Sequence, residues 1–145
     1  MKELIFMTET KFARRVALLV PRDEKGRILL QHRSKDAKVQ PDYWAFFGGG
    51  IEENETPEEA LKRETAEELG IEPTGFDLFK RYEFQEPPGL FEKFVFVIPL
   101  KHSIELLKRK QMEGQDLGLF SFDELKGLKI SDNDMAVLKE LFGKK

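Results

Sequence analysis

Residues 48–71 read Gly48-Gly49-Gly50-Ile51-Glu52-Glu53-Asn54-Glu55-Thr56-Pro57-Glu58-Glu59-Ala60-Leu61-Lys62-Arg63-Glu64-Thr65-Ala66-Glu67-Glu68-Leu69-Gly70-Ile71. Thr56-Pro57-Glu58-Glu59 announces a helix, with Thr56 as N-cap, Pro57 at the first helical position and Glu59 as the capping-box partner. The spacing predicts a helix from Pro57 to about Leu69, stopped by Gly70. At about 100° per residue, Ala60, Glu64, Glu67 and Glu68 share one face, and Leu61, Thr65 and Leu69 form the adjacent stripe that packs on a sheet. The carboxylates therefore border the core. Like charges three and four apart repel by roughly 0.2–0.5 kcal/mol per pair. A stable fold does not need that arrangement, whereas a divalent cation does. Gly48, Gly49 and Gly50 read as a turn whose missing side chains let the main chain approach a ligand.

Working outward, Ala13 to Val20 and Arg27 to His32 read as two strands of a hairpin, joined by the charged turn Pro21 to Gly26. A polar loop, Ser34 to Asp42, leads into a brief aromatic segment, Tyr43 to Phe47. After the helix, Phe76 to Gln85 and Phe91 to Leu100 form two longer strands around Glu86-Pro87-Pro88-Gly89. Phe94, Phe96 and Ile98 alternate with Val95 and Val97, so neither face is polar and the second strand is central in its sheet. Lys108-Arg109-Lys110 is a small basic cluster, read as solvated surface. Leu117 to Phe120 is a last strand, and Ser121 to Glu124 a capping box. Ser131 to Phe142 is an amphipathic helix with Met135, Leu138, Leu141 and Phe142 inward. This order, with strands on both sides of one early helix, implies an α+β fold or α/β/α sandwich, with residues 1–145 as a single domain.

Composition narrows the chemistry. Forty per cent of the 145 residues are hydrophobic and 13 are Phe, as expected of a packed globule. With 24 basic and 27 acidic residues intermixed, no basic surface is broad enough for duplex nucleic acid. The absence of cysteine removes disulfides, thiolate metal sites and cysteine nucleophiles, so the chemistry must use oxygen and nitrogen ligands. The first eleven residues lack the apolar stretch of a signal peptide, and no run approaches the roughly 20 apolar residues of a membrane helix. A cytoplasmic protein without membrane attachment is expected. A half-filled carboxylate shell suits Mg²⁺, which is commonly shared between one or two carboxylates and substrate phosphates. Hydrolysis of a diphosphate linkage follows from that pairing.

Gly49, five residues, Glu55, seven residues and Arg63-Glu64-Thr65-Ala66-Glu67-Glu68-Leu69-Gly70-Ile71 together resemble a complete Nudix box, the signature of the Nudix hydrolases. Two positions depart from the usual pattern: Thr65 replaces an aliphatic residue, and Phe47 a proline. The resemblance implies an α/β/α sandwich around a mixed sheet and a pyrophosphohydrolase dependent on Mg²⁺, with Mn²⁺ as a substitute. It implies that Glu64, Glu67 and Glu68 hold the metal, together with the carbonyl of Gly48, and that Glu64 is a candidate general base. Arg63 and Glu55 correspond to a pair that orients the loop and the carboxylates. Glu113 is similar, by its distance from the box, to a further glutamate that many members supply from a loop. The expected partner is a small nucleotide bound by a monomer or homodimer. Arg33, at a strand end, is the preferred phosphate binder over Arg14 and Arg15, and Trp44 and Phe46, on one side of their segment, are candidates for a base slot or for core.

Three alternatives arise. Pro87, sixteen residues past Ile71, resembles a proline of ADP-ribose-cleaving members, although a hairpin turn explains it equally, and nucleotide sugars belong with that reading. A Nudix module that senses a nucleotide without cleaving it would have no reason to keep three mutually repelling glutamates. A prenyl diphosphate isomerase, suggested by Leu29-Leu30-Gln31-His32-Arg33-Ser34, would need the cysteine this chain lacks.

Overall fold

The computed structural model describes residues 12–73, 75–110 and 116–144. Among them are seven strands in one mixed sheet: β1 (Arg14–Arg22), β2 (Ile28–His32), β3 (Trp44–Ala45), β4 (Phe47–Gly50), β5 (Asp77–Glu86), β6 (Gly89–Pro99) and β7 (Asp116–Phe120). Four helices accompany them: α1 (Pro57–Leu69), α2 (Ile104–Lys110), α3 (Phe122–Leu125) and α4 (Asp132–Leu141). None of these helices is long and apolar enough to cross a membrane.

The strands run in the order β3-β2-β1-β6-β5, with β4 added to β1 and β7 to β2. β6 pairs in parallel with the whole of β1, from Arg14↔Phe91 to Arg22↔Pro99, and antiparallel with β5 on its other side. It is central, as its two apolar faces require. The hairpin of β1 and β2 meets through the single register pair Arg22↔Ile28, because β4 occupies the same side of β1 from Val16 to Leu19. Gly48, Gly49 and Gly50 are therefore part of a strand and not the expected turn. Each of these glycines faces a residue of β1, Leu18, Ala17 or Val16.

The alternation along the central strands divides the core into two layers. Ala17, Leu19, Phe47, Phe96 and Ile98 face one side, where α1 supplies Ala60, Leu61 and Leu69 and α2 supplies Leu107. Val20, Ile28, Leu30, Phe46 and Val95 face the other, under Leu125 of α3 and Val137, Leu138 and Leu141 of α4. The result is the anticipated α/β/α sandwich. Burying each of these large apolar side chains contributes about 1.5–3 kcal/mol. The inward side of α4 differs in detail, since Val137 and Asp134 are buried while Met135 and Phe142 are partly covered.

Both departures from the box pattern are absorbed here. Phe47 is fully buried, and Thr65, also fully buried, donates its hydroxyl to Leu61 O at 2.6 Å. Threonine thus fills an aliphatic site while its oxygen stays satisfied along the helix. The basic cluster lies on α2, an element not anticipated, and Lys108 pairs with Asp116 at 3.1 Å. Glu113 lies outside the described residues.

Candidate active site

Both ends of α1 are fixed locally. Glu59 N–H donates to Thr56 Oγ1 at 3.1 Å, and Thr56 N–H donates to the Glu59 carboxylate at 2.8 Å. At the far end Gly70, with φ 68°, donates its N–H to Ala66 O. With the helix pinned, the direction of each glutamate is set. Glu64 is buried beneath the helix, directly over Gly49. A Cβ at Gly49 would collide with the Glu64 carboxylate. At Gly48, with φ 135°, a Cβ would strike the Ala17 carbonyl oxygen, and its N–H instead donates to Glu68 Oε2 at 3.1 Å. The glycine run is thus a groove without side chains, into which two carboxylates settle.

Arg63 joins this groove to the loop before the helix. Its Nε and Nη2 grip the two oxygens of Glu55 at 2.8 and 2.9 Å, and Nη2 also donates to Gly50 O at 2.9 Å. Nη1 donates to Glu64 Oε1 at 2.7 Å and approaches Glu67 Oε2 at 3.5 Å. The like-charge repulsion along α1 is therefore offset within the chain. Glu55 also accepts Glu52 N–H at 2.9 Å, and these bonds, those from Arg63 foremost, hold its carboxyl at about 2. The same carboxylate pushes the Arg63 guanidinium further above its ordinary range. Arg63 is a rigid fork that a lysine could not reproduce.

Among the described residues, no group of three or more His, Asp or Glu side chains stands close enough to hold a metal ion. Glu64 is drawn to Arg63, Glu68 reaches the Gly48 N–H, and the Glu67 side chain is 57% exposed. The donor set still suits a hard cation. Carboxylate oxygens border a polar cleft, and such ions take one or two carboxylates and keep several waters.

Glu68, Gly48 and Gly49 line a cleft of about 1010 Å³ that also takes in Asp132, Asn133 and Asp134 of α4. Its lining includes Arg33 and Phe46 but not Trp44, which stacks on His32 at 4.6 Å and meets Phe120 edge-on. Arg33 Nε donates to Val39 O at 2.8 Å, fastening the polar loop beside the cleft. Arg14 also lines the cleft, its guanidinium against Gly50, whereas Arg15 is bound to Glu92 at 2.6 Å. Pro87 sits in the β5–β6 turn and faces the same space. Three buried polar residues of the lining were not read from the sequence as site residues: Gln31, Lys93 and Asp134. Lys93, which with its neighbour Glu92 forms a charged pair in an otherwise apolar strand, was the one available signal.

A family model described as the NUDIX domain matches residues 11–141. The chain belongs to the Nudix family. The Nudix chain is 40% identical, over 72 residues, to the 8-oxo-dGTP diphosphatase of Escherichia coli (strain K12), covering 50% of this chain and 55% of that protein. It spans between 55% and 64% of the length of the first three curated relatives it matches. Among solved structures, the MutT protein of Methanosarcina mazei Go1 superimposes with a TM-score of 0.67 at 21% identity, covering 94% of this chain and 96% of that one. The E. coli dihydroneopterin triphosphate pyrophosphohydrolase superimposes with a TM-score of 0.68 at 20% identity, covering 90% and 97%. The likeness to these two structures establishes the Nudix fold.

Proposed function

We propose that this Nudix chain is a divalent-metal-dependent pyrophosphohydrolase that cleaves a phosphoric anhydride bond in a nucleoside triphosphate or modified nucleotide. The observation that carries the reading is the Arg63-held Glu64 over side-chain-free Gly49, which with Gly48 and Glu68 lines a nucleotide-sized cleft. Glu64, Glu67 and Glu68, with the Gly48 carbonyl, would hold Mg²⁺ or Mn²⁺. Such an ion neutralises charge on the diphosphate and acidifies a water nucleophile. Arg63 and Glu55 position Glu64 and the Gly50 carbonyl, a supporting role of the kind that typically changes metal affinity or activity 10–100-fold when removed. Arg14 and Arg33 line the cleft as cations for the phosphates, while Phe46 offers an apolar floor. Names among the relatives, including 8-oxo-dGTP diphosphatase and CTP pyrophosphohydrolase, favour triphosphates as the first substrates to test.

The test is a panel of nucleoside triphosphates, ADP-ribose, nucleotide sugars and dinucleoside polyphosphates, assayed with Mg²⁺, with Mn²⁺ and with EDTA. Release of a monophosphate product that depends on the metal is expected. Glu67→Gln and Glu68→Gln should each lower turnover by about 10²-fold or more with little change in thermal midpoint. Unaltered turnover in both variants defeats the assignment. ADP-ribose is included because Pro87 faces the cleft.

A further inference from the structure

Strand β5 is ten residues long and, among the described residues, has β6 as its one sheet neighbour, so it forms an outer edge of the sheet. Alternate residues of such an edge direct their N–H and C=O groups away from the sheet. Among the described residues, no turn or loop backbone bonds to Asp77–Glu86. Two of the three large apolar side chains exposed among those residues, Leu78 at 50% and Phe79 at 38%, lie at the start of this strand. A bulge between Leu78 and Lys80, and charges at Lys80, Arg81 and Glu83, deter pairing with a strand of arbitrary sequence. The order of those charges nevertheless fits one particular strand, a second β5.

Residues directly opposed in an antiparallel pair point to the same face, so two copies of β5 related by a two-fold axis must place one residue on that axis. An axis at Lys80, Arg81 or Glu83 sets a charge against its own copy, which is destabilising. An axis at Phe84 overlaps fewer residues of the strand. With Tyr82 on the axis, Arg81 faces the partner's Glu83 and Glu83 the partner's Arg81, both on the face where their β6 neighbours are Phe94 and Glu92. On the other face Tyr82 meets its copy, and Lys80 faces the partner's Phe84. Lys80 Nζ already stands 5.1 Å from the Tyr82 ring, and Tyr82 stacks on Phe84 at 5.3 Å, so that face carries a cation at one end and a ring at the other. Arg81 is held ready at the edge, since its Nε donates to buried Glu92 at 2.6 Å and its Nη2 to Glu83 at 2.5 Å. A side chain fixed in advance loses less freedom on association.

We propose that β5 is a self-recognition edge, on which a second copy of this chain adds its own β5 antiparallel with Tyr82 on the two-fold axis. The contact uses the same patch of both copies and closes at two. It brings the partner's exposed Leu78 and Phe79 towards the turn that holds Glu86 and Pro87, two residues of the cleft lining. One strand per copy is a small contact beside the roughly 800 Å² per partner of a stable complex, so the dimer dissociates on dilution.

Sedimentation of the intact chain over a concentration series should show a monomer–dimer equilibrium that stops at two copies. In hydrogen exchange, alternate amides of β5 should gain protection as the concentration rises. Glu83→Arg, at an exposed side chain outside the candidate active site, sets cations against each other in both opposing pairs and should weaken dimerisation roughly tenfold or more. Arg81→Glu, checked for native near-ultraviolet dichroism because Glu92 loses a partner, should do the same. Mixing the two variants should restore a dimer, because every opposing pair is then of unlike charge. A monomer at every concentration, assembly that continues past two copies, a dimer unchanged by Glu83→Arg, or two natively folded variants that fail to pair when mixed overturns the proposal. So does protection of β5 amides that is independent of concentration, the result expected if residues 1–11 of the same chain covered the edge.

Discussion

Replacing Gly49 with alanine should separate an effect on turnover from an effect on folding. The new methyl carbon would lie 2.6 Å from Glu64 Cδ and 2.8 Å from Oε2, and closer still to Oε1. Ordinary contact begins near 3.4 Å, so the carboxylate must retreat by roughly 1 Å. Glu64 is the free end of a side chain and can move, and Gly49 has no left-handed φ to be strained. Weakening the Arg63–Glu64 bond costs about 1.5–3 kcal/mol, and the lost freedom of the unfolded chain returns about 0.4–1 kcal/mol. The net is about 0.5–2.6 kcal/mol, or a fall in Tm of roughly 1–10 °C. A misplacement of about 1 Å in a catalytic group costs about 10²-fold in rate. Gly48→Ala is the contrasting case: φ is 135° and the obstructing atoms are the backbone of Ala17 and Leu18. Backbone strain and overpacking together cost about 2–6 kcal/mol there. Turnover, metal titration and urea unfolding on both variants decide the matter. Turnover of Gly49→Ala within threefold of the parent, or a stability loss equal to that of Gly48→Ala, would refute the geometry.

Two further outcomes follow from the same contacts. Arg63→Lys keeps the charge but cannot hold Glu55 through two nitrogens while reaching Gly50 O and Glu64. It should lose about 2 kcal/mol in urea unfolding and 10–100-fold in kcat. Asp134 is held at about 6, above its ordinary 3.8, chiefly by burial. The native chain therefore binds this proton more tightly than the unfolded chain, and its contribution to stability is present below about pH 4 and lost as pH rises through 6. That loss amounts to about 3 kcal/mol. The difference in unfolding free energy between Asp134→Asn and the parent should shift in favour of the variant by that order between pH 4 and 7, and a flat difference would exclude the buried acid.

Helix α1 was legible because its determinants are local: Thr56, Pro57, Glu59 and Gly70 each act within a few residues. The central position of β6 was legible from its two apolar faces. The glycine run misled, since three glycines in series signal a turn unless it is known that β1 and a carboxylate press against them from two sides. The compensation of the glutamates was also hidden in part. Spacing shows the repulsion, but Arg63 reaches Gly50 and Glu55 across a loop whose path spacing does not give. The far wall of the cleft was invisible because Gln31, Lys93 and Asp134 lie on three elements that only the tertiary fold brings together.

Strand β1 works on both sides. Ala17 and Leu19 seat helix α1, while Val16 and Leu18 look into the cleft. Because alternate residues of one backbone serve the two tasks, odd-versus-even choices along β1 separate the cleft wall at Val16 and Leu18 from the seat of α1 at Ala17 and Leu19. A library confined to Val16 and Leu18 should therefore yield folded variants in which the shape of the cleft wall has changed.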